Sequence, residues 1–330
     1  MARTDDSTAA DPQTGSPLFR LLPQELRDEI YTHLFASTEF AFSDLPPEHR
    51  DHNDQGTTPS LNSLALLRTC RRVHREIGPS WLSAILLKFN STCRMLDTLA
   101  ALDSSLLSRI RHLDVFDNMI IATRQDQDQA YHVASALALL PGLRLDTLTV
   151  RAVPQALISH EALDGLVREG RGWRELRFVA PGSDILSFAR FDPAFGDESE
   201  RARFWRRPQP AHWRGVMEAR DGVKSGASVT IFRSVLPHLT DAVFDPKMRT
   251  PFEQDVPEDE EEKAAYGIAA DYDLTESGEI YKEVLVVVRR GAGVDYEVRA
   301  DAPLLEKDIR RGIPERTWGE IRAKYVHTIF

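Results

Sequence analysis

The chain has 330 residues, 42% hydrophobic and 28% charged, a composition suited to one large or two moderate globular domains that need no disulfide or metal staple. Only two cysteines are present, Cys70 and Cys93, which argues against a disulfide framework and favours a reducing compartment. A net charge of −10 opposes general attraction to nucleic-acid backbones, and no stretch reaches the roughly 18 apolar residues of a membrane span.

Residues 1–16 carry Asp5, Asp6 and Asp11 and lack the apolar centre of a secretory signal. They are read as a disordered tail, and the chain as intracellular, cytoplasmic or nuclear. A first helix follows. Pro23 suits its first turn, and Leu26, Ile30, Tyr31 and Leu34 recur at helical spacing. Glu25, Asp28 and Glu29 lie where negative charge complements the helix dipole. Residues 36–60, with Pro46, Pro47, Gly56 and Pro59, read as an insertion carrying a short strand at Glu39–Phe42. Leu61, Leu64, Leu67, Cys70, Val73 and Ile77 then form the stripe of a longer helix, which Gly78-Pro79 ends. Ser80 is expected to cap a short helix carrying Trp81, Leu82, Ile85 and Leu86.

From residue 92 helices and strands alternate. A helix through Leu96, Leu99, Leu102 and Leu106 precedes a strand at His112–Phe116. A helix through Val133, Leu137 and Leu140 precedes a strand at Leu145–Val150. A helix through Leu163, Leu166 and Val167 precedes a strand at Glu175–Ala180. Leu113, Leu148 and Leu176 are candidates for equivalent places in these strands. The expected fold class is α/β (mixed α+β), with parallel pairing through right-handed crossovers; a short, irregular leucine-rich-repeat-like array is one version of it. Residues 181–227 are less regular and rich in Arg, Trp and Pro. A strand at Ala227–Phe232, an acidic linker at 253–263, a hairpin pairing Ile280–Arg290 with Val294–Arg299 about Gly291–Gly293, and a final helix with Trp318, Ile321 and Tyr325 complete the chain.

Two stretches carry a family resemblance: PLFRLLPQELRDEIYTHLF at 17–35 and LNSLALLRTCRRVHREIGPSWL at 61–82. Leu22, Pro23, Glu25 and Leu26, then Leu67, Cys70, Arg71 and Glu76, resemble the paired motifs of fungal F-box-like proteins. The resemblance implies a helical module at 17–89 followed by an α/β binding region at 90–330. It implies docking on the Skp-family adaptor of a cullin–RING ubiquitin ligase, with Pro23, Leu26, Ile30 and Leu34 as contact residues and an unidentified protein substrate held downstream. The insertion at 36–60 is longer than a compact F-box has. On the residues alone, the apolar stripe of the first helix is read first as core against Leu64, Leu67 and Cys70, and second as an interface. A structural cap without a ligase role is the rival to the adaptor reading.

Other clusters carry weaker chemistry. Cys70 and His74 share a helix face but have no second metal-binding pair. His49 and His52 sit among acidic residues in a polar loop and read as solvated. Arg68, Arg72 and Arg75 share a helix face that is read as solvated, with an acidic partner as the alternative. Arg201, Arg203, Trp205, Arg206, Arg207, Trp213 and Arg214 interleave arginine with tryptophan. Stacking on bases is the remote reading of that stretch, and pairing with the acidic linker is an alternative. No Walker A loop, HExxH, GxSxG or paired Cys-x-x-Cys occurs. No metal or cofactor is expected, and the chain is read as a non-enzymatic interaction protein. An enzyme whose site assembles only in three dimensions is the rival of lowest weight.

Overall fold

The computed structural model describes residues 15–42, 66–67, 71–125, 127–186, 209–254 and 278–326. His49, His52, Leu61, Leu64, Arg68, Cys70, residues 201–207 and residues 255–263 lie outside them, as does the tail before Gly15.

The fold is mixed α+β, with several helices and a multi-stranded sheet. Its strands are β1 (Glu39–Phe42), β2 (Leu86–Phe89), β3 (His112–Phe116), β4 (Ile120–Arg124), β5 (Gln127–Tyr131), β6 (Leu145–Arg151), β7 (Trp173–Ala180), β8 (Ser228–Ser234), β9 (Arg249–Phe252) and β10 (Val284–Arg289). Eight of them form one sheet in the order β1-β2-β3-β6-β7-β10-β8-β9, while β4 and β5 make a separate hairpin. The strands from β1 to β7 in that order run parallel, and β10 enters antiparallel to both β7 and β8.

The helices are α1 (Pro17–Leu21), α2 (Gln24–Ala36), α3 (Arg71–Ile77), α4 (Thr92–Leu99), α5 (Ser104–Leu107), α6 (Val133–Leu137), α7 (Ala156–Arg168), α8 (Ala211–Asp221) and α9 (Trp318–Tyr325). Helices α4, α6, α7 and α8 pack side by side in that order. Each crossover between parallel strands contributes at least one helix, because parallel neighbours cannot be joined by a tight turn.

The core is organised by register. Leu87, Leu113, Leu148 and Leu176 pair across β2, β3, β6 and β7, and the row continues through Val288 of β10 to Val229 of β8. All six are buried. The equivalence of Leu113, Leu148 and Leu176 expected from sequence is thus a register fact. A buried leucine of this kind contributes about 1.5–3 kcal/mol by leaving water. Side chains alternate along a strand, so the residues flanking this row project from the other face of the sheet.

Several expectations are corrected. Val294–Arg299 does not pair back on β10. It crosses the N-terminal ends of β6 and β7: Gly172 N donates to Tyr296 O at 2.6 Å, Gly142 N to Val298 O at 2.8 Å, and Val298 N to Leu143 O at 3.1 Å. Gly172 sits at φ +86°, and a Cβ there would meet Val298 Cγ2 at 2.9 Å, so this crossing requires glycine. The helix expected at Trp81–Leu86 is a 3-10 turn, Gly78–Ser83, that gives way to β2. Residues 17–89 thus contribute both β1 and β2 to the main sheet. The helix expected through Leu106 divides into α4 and α5, because the Asp103 carboxylate accepts hydrogen bonds from Ser105 N and Leu106 N and caps a new helix. Helix α8 forms in the stretch read as irregular, burying Trp213 and Met217.

Polar groups secure these elements. Arg220 of α8 donates to Val167 O at 2.7 Å and to Gly170 O, satisfying carbonyls at the end of α7. Burial, with Arg290 nearby, lowers its guanidinium to about 10, still charged at neutral pH. Thr317 and Glu320 form a capping box on α9, and Trp318 Nε1 donates to Asp97 Oδ1 of α4 at 2.7 Å. No helix among the described residues is long and apolar enough to cross a membrane.

Candidate interaction surfaces

Helix α2 is held by polar chemistry. Its buried residues are Arg27, Tyr31 and Phe35, spaced four apart on one face. Arg27 is 5% exposed, and its charge is met by Glu76 of α3: Nε donates to Oε2 at 3.0 Å and Nη2 to Oε1 at 2.9 Å. Arg72 Nε also donates to Glu76 Oε1, at 3.1 Å, and Tyr31 Oη to Oε2, at 3.4 Å. Arg27 Nη1 donates to Leu22 O at 2.6 Å, which ties α2 to the turn before it. The Arg27 and Arg72 guanidiniums lie over the Phe19 ring of α1, at 5.4 and 4.2 Å from its centroid. The Glu76 carboxylate thus joins α3 to α2, and the two guanidiniums that it binds extend the joint to α1. Burial pushes the Glu76 carboxyl up, but the hydrogen bonds from Arg27 and Arg72 outweigh that and hold it below the usual carboxylate range.

With that face committed inward, the adjacent ridge of α2 turns outward. Pro23 is exposed, Leu26 is 46% and Ile30 45% exposed, and Leu34 is half-buried. Leu21, just before α2, is 66% exposed. The reading of this stripe as core is corrected for Leu26 and Ile30: the core-facing positions are one step further round the helix. Leu67 is half-buried, while Leu64 and Cys70 lie outside the described residues. Of the arginines expected on one solvated face, Arg75 is exposed but Arg72 is drawn into the Glu76 joint. His74 is exposed.

The second surface is the sheet face opposite the leucine row. In register order it presents Glu39 and Lys88, His112 and Asp114, Thr147, Thr149 and Arg151, Glu175 and Arg177, then Arg289 and Val287. Charges alternate across it. Lys88 Nζ meets Glu39 Oε2 at 2.7 Å, and Arg151 Nε meets Asp114 Oδ1 at 3.1 Å. Glu175 accepts from both Arg177 Nε at 2.7 Å and Arg289 Nε at 2.8 Å. Burial pushes the Asp114 carboxyl up, against the pull of Arg151. Burial lowers the His112 imidazole, so it is neutral at pH 7.

Part of this face is covered. The 3-10 turn Ala242–Phe244 lies over it, placing Val243 in a small apolar cluster with Val179 and Leu285. The buried Glu283 carboxylate accepts from Asp241 N at 3.0 Å and Val243 N at 3.2 Å, and Arg151 Nη1 meets Asp241 Oδ1 at 2.5 Å. Beside the turn remains a cleft of about 260 Å³ lined by Glu175, Arg177, Arg289, Arg249, Thr230 and Phe244, among others.

Other constellations are structural. Asp117 and His132 meet at 3.3 Å, but Asp117 Oδ1 accepts from Val133 N and so holds the start of α6. Ser135 lies one turn on; its Oγ accepts from Ile309 N at 2.9 Å, anchoring the C-terminal segment. Within the Arg/Trp stretch, Trp213 is buried and donates to Asp164. Arg214 Nη1 meets Glu253 Oε1 at 2.5 Å, one described contact between that stretch and the start of the acidic linker. Among the described residues no group of three or more His, Cys, Asp or Glu side chains is placed to hold a metal ion.

Comparison with protein-family models, with curated proteins and with solved structures finds no match.

Proposed function

We propose that the chain is a non-enzymatic interaction protein of the F-box-like type. Its first helices dock on a Skp-family adaptor of a cullin–RING ubiquitin ligase, and the open face of a leucine-rich-repeat-like sheet holds the protein target. The observation that carries this reading is the outward placement of Leu26 and Ile30 on a helix fixed from behind by the Arg27–Glu76 pair. Exposed leucine and isoleucine on a rigid helix, preceded by exposed Pro23, are what a helix-in-groove contact uses. Leu34 extends the same ridge. The parallel strand order with helices packed in sequence supports the repeat-like part. Co-purification of the full chain with the adaptor is the test. Retention of adaptor, lost in the Leu26→Glu/Ile30→Glu variant, is expected; no retention under conditions where a control F-box protein binds overturns the ligase role.

A second reading rests on its own observation. Strand β1 forms one edge of the main sheet, and Tyr31 and Phe35 belong to the same core cluster as the sheet leucines. The module is then a cap that closes the end of the array and binds no adaptor.

A further inference from the structure

We infer that the open-face cleft between β7, β10 and β8 binds a carboxylate-bearing side chain of a partner protein, in a segment where Asp or Glu neighbours an apolar residue. This rests on the interaction reading above and names the chemistry of the target. The cleft is built in cross-strand rows. Glu175 pairs in register with Arg289, and Arg289 with Ser228; Arg177 pairs with Val287, and Val287 with Thr230. Glu175 engages Arg177 and Arg289 through their Nε atoms. The terminal nitrogens of both guanidiniums make no hydrogen bond to another described residue, and the two side chains are 43% and 64% exposed. Both arginines are oriented by one carboxylate and line the same cleft, and an exposed guanidinium held in this way can accept a further carboxylate in a forked contact.

Arg249 completes the positive rim. It stacks over Phe232 at 4.2 Å from the ring centroid and is fixed by donation from Nη1 to Val243 O at 2.8 Å. Three guanidiniums against one carboxylate make this cleft locally positive in a chain of net charge −10. Burial pushes the Glu175 carboxyl up, but the hydrogen bonds from Arg289 and Arg177 outweigh that and hold it below the usual carboxylate range, so the arrangement persists at neutral pH. Half-buried Val287, Phe232 and Phe244 provide the apolar part of the lining, and the hydroxyls of Ser228 and Thr230 offer hydrogen bonds to a peptide backbone. At about 260 Å³ the cleft is just below the roughly 300–1,000 Å³ typical of a site for a drug-sized ligand, a size that suits one or two side chains of a peptide.

The test is selection of a displayed random-peptide library against the full chain, in parallel with the Arg177→Gln/Arg289→Gln variant. Glutamine at each position keeps an amide that can donate to the Glu175 carboxylate, and a melting curve checks that the variant is folded at the temperature of the selection. The expected result is enrichment of peptides pairing Asp or Glu with Leu, Ile, Val or Phe. A synthetic consensus peptide then binds the double variant about tenfold or more weakly, loses affinity with added salt, and binds Leu26→Glu/Ile30→Glu as it binds the wild type. Enrichment of peptides without acidic residues overturns the inference yet leaves the interaction reading standing, as does equal binding to the double variant. Recovery of no peptide at all also overturns it, while adaptor co-purification reports on the docking helix independently.

Discussion

The leucine row of the sheet and the joint between the first helices solve the same packing problem by opposite chemistry. In the sheet, Leu87, Leu113, Leu148 and Leu176 stack in register and exclude every polar group from the row. In the joint, the inward face of α2 is led by an arginine, and a single carboxylate, Glu76, gathers Arg27, Arg72 and Tyr31. The apolar row can be repeated strand after strand without geometric demand. The polar joint works only when its partners meet at hydrogen-bond distance, so it fixes one orientation of α2 and leaves Leu26 and Ile30 facing outward.

That contrast is open to direct tests. Leu148→Ala, in the centre of the row, is expected to cost about 2–5 kcal/mol in urea denaturation, since its neighbours on both strands are rigidly placed. A cost under about 1 kcal/mol would mean the row collapses to fill the gap and is less rigid than the register implies. Glu76→Gln leaves Arg27 buried with its charge unmet and is expected to cost about 3 kcal/mol by the same measurement. Acid probes the same joint without mutation. The Glu76 carboxyl is depressed in the fold, so its stabilising contribution is complete above the ordinary glutamate value of about 4.3 and is lost as pH falls through the folded value. Hydrogen exchange across residues 24–36 is therefore expected to accelerate below about pH 4 before the strands β3, β6 and β7 exchange. Simultaneous loss would show that the joint and the sheet unfold as one unit. The smallest effect is expected at the exposed ridge, where Leu26→Ala is predicted to change stability by no more than about 0.5 kcal/mol.

The same contrast explains what could be read from the sequence. The strands with leucine in register were legible, because a two-residue alternation around Leu113, Leu148 and Leu176 survives any context. The first helix was legible as a helix but its faces were not. Apolar spacing selected Leu26, Ile30 and Leu34, whereas the buried positions are Arg27, Tyr31 and Phe35, and no periodicity scale assigns arginine to a core. The signal that would have found it is the pairing of Arg27, the residue after the first motif, with the motif residue Glu76, 49 positions apart. Strand β2 was hidden because Ile85 and Leu86 fit a helix as well as a strand, and its neighbours β1 and β3 decide the matter. The hairpin expected after β10 failed because Gly291–Gly293 is a turn whose exit is captured by Leu143, Gly142 and Gly172, contacts far away in sequence. The open-face cleft was not legible as a site, although Glu175 and Arg177 occupy the alternate positions of a strand whose leucine faces the core. Arg289 and Phe244 reach it only through the antiparallel entry of β10 and the turn held by Glu283.

The account turns on which way Leu26 and Ile30 serve the molecule. Calorimetric titration of the full chain with a Skp-family adaptor, paired with melting curves for wild type and Leu26→Glu/Ile30→Glu, measures this directly. The account predicts that the variant melts with the wild type and no longer binds. A variant that melts far below the wild type would return these residues to the core, and a folded wild type that gives no heat of binding while a control F-box protein does would contradict the docking role.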